Sequence, residues 1–128
     1  AGVSAEIKLF FNDMAERLKA CHLFIGRSGA STVAEIATVG RPAIFVPYPG
    51  HKDMQQKFNA EVISTKGGGW VMLQENFSPD AVAAKLAELM QSPPALAQAA
   101  AAAKSCGQPD AARNLADVVE KKIASLKR

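Results

Sequence analysis

The sequence predicts an α/β domain, a Rossmann-like parallel sheet of about four strands with flanking helices, followed by an all-helical C-terminal part. Three observations carry this expectation. Short apolar runs alternate with helical patterns as far as residue 75, Gly or Pro punctuates each change, and no strand signal follows. Strand-helix units repeated at this length build parallel sheets with right-handed crossovers, whose ligands bind beyond the carboxyl ends of the strands.

The elements follow in order. Glu6 to Phe11 reads as a strand, and Asp13 to Ala20 as a helix with Met14 and Leu18 on one face. A second strand spans about His22 to Ile25. The helix after it ends near Gly40, a C-cap glycine ahead of Pro42. Ala43 to Val46 is the third strand, stopped by Pro47-Tyr48-Pro49-Gly50, and a helix runs from about Asp53 to Thr65. Gly67-Gly68-Gly69 breaks the chain before a fourth strand, Trp70 to Leu73, whose Trp70 and Met72 are expected in the core. Ser78 then supplies an N-cap and Pro79 the first position of a helix through Met90. Pro93-Pro94 interrupts, and an alanine-rich helix follows to Lys104. The last helix starts near Asp110, and its Leu115, Val118, Val119 and Ile123 recur at helical spacing.

The bulk numbers bound the answer. A chain of 128 residues makes one domain, read as strand-helix units over 1–75 and C-terminal helices over 76–128. With 48% apolar and 21% charged residues the composition is that of a soluble globular protein. No apolar run approaches the ~20 residues of a membrane-spanning helix, and the first residues carry no secretory pattern. Cys21 and Cys106 stand far apart in no metal-ligand spacing, so reduced thiols are expected rather than a disulfide or zinc site. The net charge of +3 is mild. Its densest part, Lys121-Lys122 and Lys127-Arg128, belongs on a solvated helix face and in a last turn, and lacks the interleaved aromatics of a nucleic-acid surface.

The chemistry concentrates in Gly26-Arg27-Ser28-Gly29-Ala30-Ser31-Thr32-Val33-Ala34-Glu35. An apolar strand runs into a small-residue turn, and a helix begins with unpaired N–H groups at its positive end, an arrangement that favours an anion such as a phosphate. Ser28, Ser31 and Thr32 add hydroxyl donors, and Glu35, a turn into the helix, suits two neighbouring ribose hydroxyls. Thr32 to Glu35 equally fits a capping box, with Thr32 as N-cap and Glu35 reaching back to its N–H. Both readings stand on spacing alone.

Several motifs in order closely resemble the C-terminal part of the MurG family of peptidoglycan N-acetylglucosaminyltransferases, in glycosyltransferase family 28. They are Arg27 to Ile36, Gly40-Arg41-Pro42-Ala43, Val46-Pro47, His51-Lys52-Asp53-Met54-Gln55-Gln56 and Asn59-Ala60. Phe10 to Ala15 and Pro109-Asp110-Ala111-Ala112 match as well, so the resemblance covers nearly the whole chain. It implies a GT-B enzyme of two Rossmann-like domains, the C-terminal one binding the donor. It further implies transfer of GlcNAc from UDP-GlcNAc to the C4 hydroxyl of the muramyl sugar in lipid I at the cytoplasmic face of the inner membrane, without a cofactor or metal. Position by position, Ser28, Gly29, Ala30, Ser31 and Thr32 are implied to hold the diphosphate and Glu35 the ribose. Phe11 matches the position whose backbone meets the uracil, Gln55 and Gln56 the pair that recognises the GlcNAc hydroxyls, and Asn59, one turn on, is a further sugar candidate. A primary amide donates and accepts at once, as a sugar hydroxyl does, which agrees with that role.

His51, a lone histidine near the sheet edge, has the chemistry of a general base, but the family's proposed base belongs to the other domain, so a loop contact is expected. Lys52 and Arg27 are expected either to add positive field for the diphosphate or to face solvent. Family members are far longer, and the acceptor-binding domain has no counterpart here. The isolated chain is therefore expected to be inactive, with lipid I engaged only through that other domain. Its uncovered sheet edge and apolar faces are expected to lead to self-association or to a displaced C-terminal helix. Two alternatives remain: another GT-B UDP-sugar transferase, and a donor-binding subunit of a split transferase.

Overall fold

The computed structural model describes residues 3–50, 54–107 and 111–126. The α/β expectation holds. A parallel sheet in the order β1-β2-β3 is built from β1 (Phe24–Gly26), β2 (Ala43–Phe45) and β3 (Gly69–Val71). Helix α1 (Met14–Ala20) precedes β1, α2 (Ala30–Val39) crosses from β1 to β2, and α3 (Gln55–Ser64) crosses from β2 to β3. A single 3-10 turn (Gln74–Asn76) leads into α4 (Pro79–Met90), α5 (Pro93–Ser105) and α6 (Ala111–Leu126). No helix among the described residues is long and apolar enough to cross a membrane.

The register is Phe24 beside Ala43 beside Gly69, Ile25 beside Ile44 beside Trp70, and Gly26 beside Phe45 beside Val71. The ladder continues past the strand ends, with Val46 N–H donating to Gly26 O at 2.8 Å and Met72 N–H to Phe45 O at 2.9 Å. Every residue of β2 is buried, as a central parallel strand covered on both faces requires. Phe45 anchors the core against Phe24, their ring centroids 6.4 Å apart, together with Leu18, Ile36, Ala60, Ile63 and Ala103. Each large side chain buried this way contributes about 1.5–3 kcal/mol. Helix α2 packs on α1, α3 and α5, and α4 on α5.

Local signals explain most boundaries. Gly40 closes α2 in the left-handed conformation, φ 76°, with its N–H on Ile36 O, a geometry only glycine takes without cost. Ser78 Oγ accepts from Ala81 N–H at 3.2 Å and Pro79 occupies the first helical position of α4. Pro93 and Pro94 open α5 rather than merely ending α4, because proline at the first turn removes a donor that lacks a partner anyway. Gly68 stands where a Cβ would be 2.7 Å from Ile63 Cγ2 and 2.8 Å from the Ala103 backbone, so the absent side chain lets α5 meet the start of β3.

The expected first strand is not formed. Glu6 to Phe11 has no ladder partner among the described residues, and the sheet has three strands rather than about four. Alternating apolar residues make a strand only where a neighbouring strand takes their N–H and C=O groups. Without one, Ile7 is 93% exposed and Leu9 wholly so. The segment is tied instead by charge: Arg17 donates to Glu6 at 3.0 and 3.1 Å and to Asp13 Oδ1 at 2.7 Å, while its guanidinium lies 4.1 Å from the centre of the Phe11 ring. Met14 is exposed while Leu18, expected on the same face, is buried. Trp70 and Met72 are half-buried at the sheet edge rather than in the core, with Lys85 Nζ 5.1 Å over the indole. The apolar stripe of α6 forms as expected, yet Leu115, Val118, Val119 and Ile123 are exposed, as are Lys121 and Lys122. Asp53, Asp110, Lys127 and Arg128 lie outside the described residues.

Two outcomes follow from this packing. Gly68→Ala, which drives a methyl group into the Ala103 backbone, lowers stability by about 1–3 kcal/mol in urea denaturation. At the other end, the Arg17 guanidinium, and for Glu6 also Lys8, holds the carboxyls of Glu6 and Asp13 below their ordinary values of 4.5 and 3.8. A lowered folded pKa means that the tie is intact above the unfolded value and lost as pH falls through the folded one. The Phe11 ring resonances are therefore constant from neutral pH to about 4.5 and move below it, whereas in Arg17→Met they are displaced at every pH.

Candidate functional site

The parallel register brings Gly26, Phe45 and Val71 to one edge, so the segments that follow the three strands emerge side by side. Arg27 binds them together. Its guanidinium donates to Val46 O at 3.2 Å, Pro47 O at 3.3 Å and Gln74 Oε1 at 2.7 Å, and lies 5.6 Å from the centre of the Tyr48 ring. Arg27 is exposed at this edge and at the same time clamps three loops.

Helix α2 begins three residues earlier than a capping box at Thr32 requires. Gly29 is the N-cap, in extended backbone and with no side chain to cap the helix, and the first intrahelical bond runs from Val33 N–H to Gly29 O at 3.0 Å. Thr32 is consequently the third helical residue and not the N-cap, which removes the capping-box reading. The amides of Ala30, Ser31 and Thr32 precede that first bond and have no intrahelical acceptor. Ala30 and Ser31 are exposed and Thr32 half-buried, so this first turn lies at the surface. Ser31 and Glu35 are four residues apart on one exposed helix face, the carboxylate one turn behind the hydroxyl. Together these groups present N–H and O–H donors at the positive end of the helix and a carboxylate acceptor farther along.

The turn into α3 meets this seat directly. Ser28 is 0% exposed, and its Oγ donates to Gln56 O at 2.6 Å. Asn59 Nδ2 donates back to Ser28 O at 3.1 Å. Gln56 Oε1 accepts from Tyr48 N–H at 2.8 Å, and exposed Gln55 is the first residue of the helix. Met54, the residue before it, has φ 54° and ψ 36°, a left-handed backbone that an L side chain adopts at a cost of about 1–3 kcal/mol. That conformation turns the loop so that both glutamines enter the first turn of α3. A cleft of about 600 Å³ lies alongside, between Pro47, Tyr48, Met54, Lys57, Leu73 and Glu75.

Of the residues singled out from sequence, Ser28, Gly29, Ala30, Ser31, Thr32, Gln55, Gln56 and Asn59 therefore gather at the adjoining N-termini of α2 and α3, and Glu35 one turn along α2. The hydroxyl of Ser28 and the amide nitrogen of Asn59 are engaged inside the protein rather than offered to a ligand. Phe11 is half-buried under Arg17, held from α1. His51 and Lys52 lie outside the described residues. Among the described residues no group of three His, Cys, Asp or Glu is placed to hold a metal ion, and Cys21 and Cys106 are free thiols. The clamp made by Arg27, Tyr48 and Gln74 escaped the sequence reading, since its partners lie 19 to 47 residues away and carry no local signature.

Comparison with known proteins places this edge in context. Residues 2–115 match the glycosyltransferase family 28 C-terminal domain. The chain is 53% identical over 118 residues to the UDP-N-acetylglucosamine--N-acetylmuramyl-(pentapeptide) pyrophosphoryl-undecaprenol N-acetylglucosamine transferase of Rhodospirillum centenum, covering 92% of this chain and 31% of that protein. It is 54% identical over 126 residues to the enzyme of the same name from Mesorhizobium japonicum, covering 98% and 33%. The crystal structure of MurG from Acinetobacter baumannii superposes with a TM-score of 0.82 at 32% identity, over 91% of this chain and 33% of that one. The chain thus spans about a third of the length of the relatives it matches, and within that span fold and sequence agree. It belongs to the glycosyltransferase family 28 C-terminal domain family.

Proposed function

We propose that this chain is the donor-binding part of an inverting glycosyltransferase that transfers GlcNAc from UDP-GlcNAc to the C4 hydroxyl of the muramyl sugar in lipid I, forming lipid II at the cytoplasmic face of the inner membrane. The observation that carries the reading is the meeting of two helix N-termini on one sheet edge, one offering amides without an intrahelical acceptor and the other two adjacent glutamines. The names of the relatives support the same donor and acceptor.

In this reading the diphosphate rests on the amides of Gly29, Ala30, Ser31 and Thr32, with the Ser31 and Thr32 hydroxyls as further donors. Glu35 accepts from the ribose hydroxyls, the Phe11 backbone meets the uracil, and Gln55 and Gln56 read the GlcNAc hydroxyls with Asn59 beside them. Ser28, whose surface is wholly buried, touches no part of the donor and acts from behind the seat. As the acceptor oxygen attacks C1 from the opposite face, the bond from C1 to the β-phosphate oxygen breaks and its electron pair leaves with UDP. Donors already aimed at that phosphate stabilise the growing charge without reorganising, which is where this part of the enzyme lowers the barrier. Alignment of lipid I and removal of the proton from its C4 hydroxyl belong to the acceptor-binding part of the enzyme.

Titration calorimetry of the chain tests the donor assignment. Glu35→Ala is expected to weaken UDP binding by about tenfold or more, the worth of hydrogen bonds to a carboxylate. Removing the ribose hydroxyls, with 2′,3′-dideoxy-UDP, weakens the parent chain by a similar factor and leaves the variant unaffected. Equal binding of UDP by the parent chain and Glu35→Ala contradicts the assignment.

A further inference from the structure

We infer that Ser28 is a positioning residue that sets the sugar-reading turn against the phosphate seat; the inference rests on the donor reading above. The residue sits immediately before the N-cap of α2, within the motif that holds the seat, yet none of its surface reaches solvent. Its hydroxyl therefore cannot bond a ligand in that seat. It crosses instead to α3, donating to Gln56 O at 2.6 Å, while Asn59 Nδ2 returns a bond to Ser28 O at 3.1 Å. Gln56 and Asn59 are three residues apart, so two bonds of opposite sense join a single residue of the seat to the first two turns of α3.

This double tie has a consequence beyond satisfying a buried hydroxyl. The seat uses amides that belong to α2, whereas the glutamines belong to α3, which is reached through a loop containing the left-handed Met54. Ser28 links the seat directly to Gln56 in the α3 first turn and to Asn59 one turn on, and the Tyr48 N–H holds Gln56 from the loop on the other side. The distance from the diphosphate to the amides that read the sugar is thus set by Ser28. Loosening the tie leaves the phosphate donors in place and lets the sugar readers drift. A shift of the readers costs recognition of the sugar, while a general loss of stability affects every ligand alike.

The experiment compares affinities for UDP, UDP-GlcNAc and the C4 epimer UDP-GalNAc in the parent chain, Ser28→Ala and Ser28→Cys. In the parent chain UDP-GlcNAc is expected to bind more tightly than UDP by roughly 2- to 10-fold for each hydroxyl that an amide reads, and more tightly than its epimer. In Ser28→Ala both ratios fall to about one, whatever the absolute affinities do. Ser28→Cys, which keeps a weak donor, gives intermediate ratios and serves in place of the alanine variant should that variant fail to fold. Parental ratios in a folded Ser28→Ala, or in Ser28→Cys where only that variant folds, overturn the inference and leave the donor reading intact. If the parent chain itself binds UDP-GlcNAc no better than UDP, the donor reading falls, and the inference falls with it.

Discussion

The parallel pairing of β2 between β1 and β3 is the constraint on which the rest of the structure depends. Because Ala43, Ile44 and Phe45 are buried and paired on both sides, their register admits no slip. A shift of one residue would turn Phe45 out of the cluster formed with Phe24, Ile36 and Ile63. Holding that register delivers Arg27, Val46 and Gln74 to one place. The guanidinium then closes the three loops over distances of 2.7 to 3.3 Å.

What this edge supplies is donors that need not be arranged when a ligand arrives. The first α2 amides have no intrahelical acceptor, and the N-cap residue, Gly29, has no side chain to cap them. The α3 turn is less favourable locally, with a methionine in left-handed backbone, and it persists because Ser28, Tyr48 and Asn59 bond around it. Strain of about 1–3 kcal/mol at one residue is offset by several hydrogen bonds that each return about 0.5–1.5 kcal/mol. The glutamines are held in a geometry that the loop sequence alone does not favour.

Much of this was legible in the sequence where the determinant is local. Gly40 stops α2, Ser78 with Pro79 starts α4, and the small residues after β1 mark the seat, because each acts within a few positions of itself. The misreadings concern partners far along the chain. Glu6 to Phe11 has the alternation of a strand, but alternation says nothing about whether a ladder partner exists, and Arg17 claims the segment instead. Thr32 and Glu35 have the spacing of a capping box, but the helix starts at Ala30 with Gly29 as its N-cap, so Thr32 already lies inside the first turn. The residue types at the seat could be named from sequence; that Ser28 and Asn59 face each other rather than the ligand could not, since 31 residues separate them.

The proposed function stands or falls on whether a nucleoside diphosphate seats on the N-terminus of α2. The most direct test is a crystal structure of the chain with UDP bound. Seating there puts β-phosphate oxygens within hydrogen-bond distance of the Ala30, Ser31 and Thr32 amides, with the ribose against Glu35. A nucleotide seated instead in the cleft between Tyr48, Lys57 and Glu75, leaving those amides to water, would contradict it.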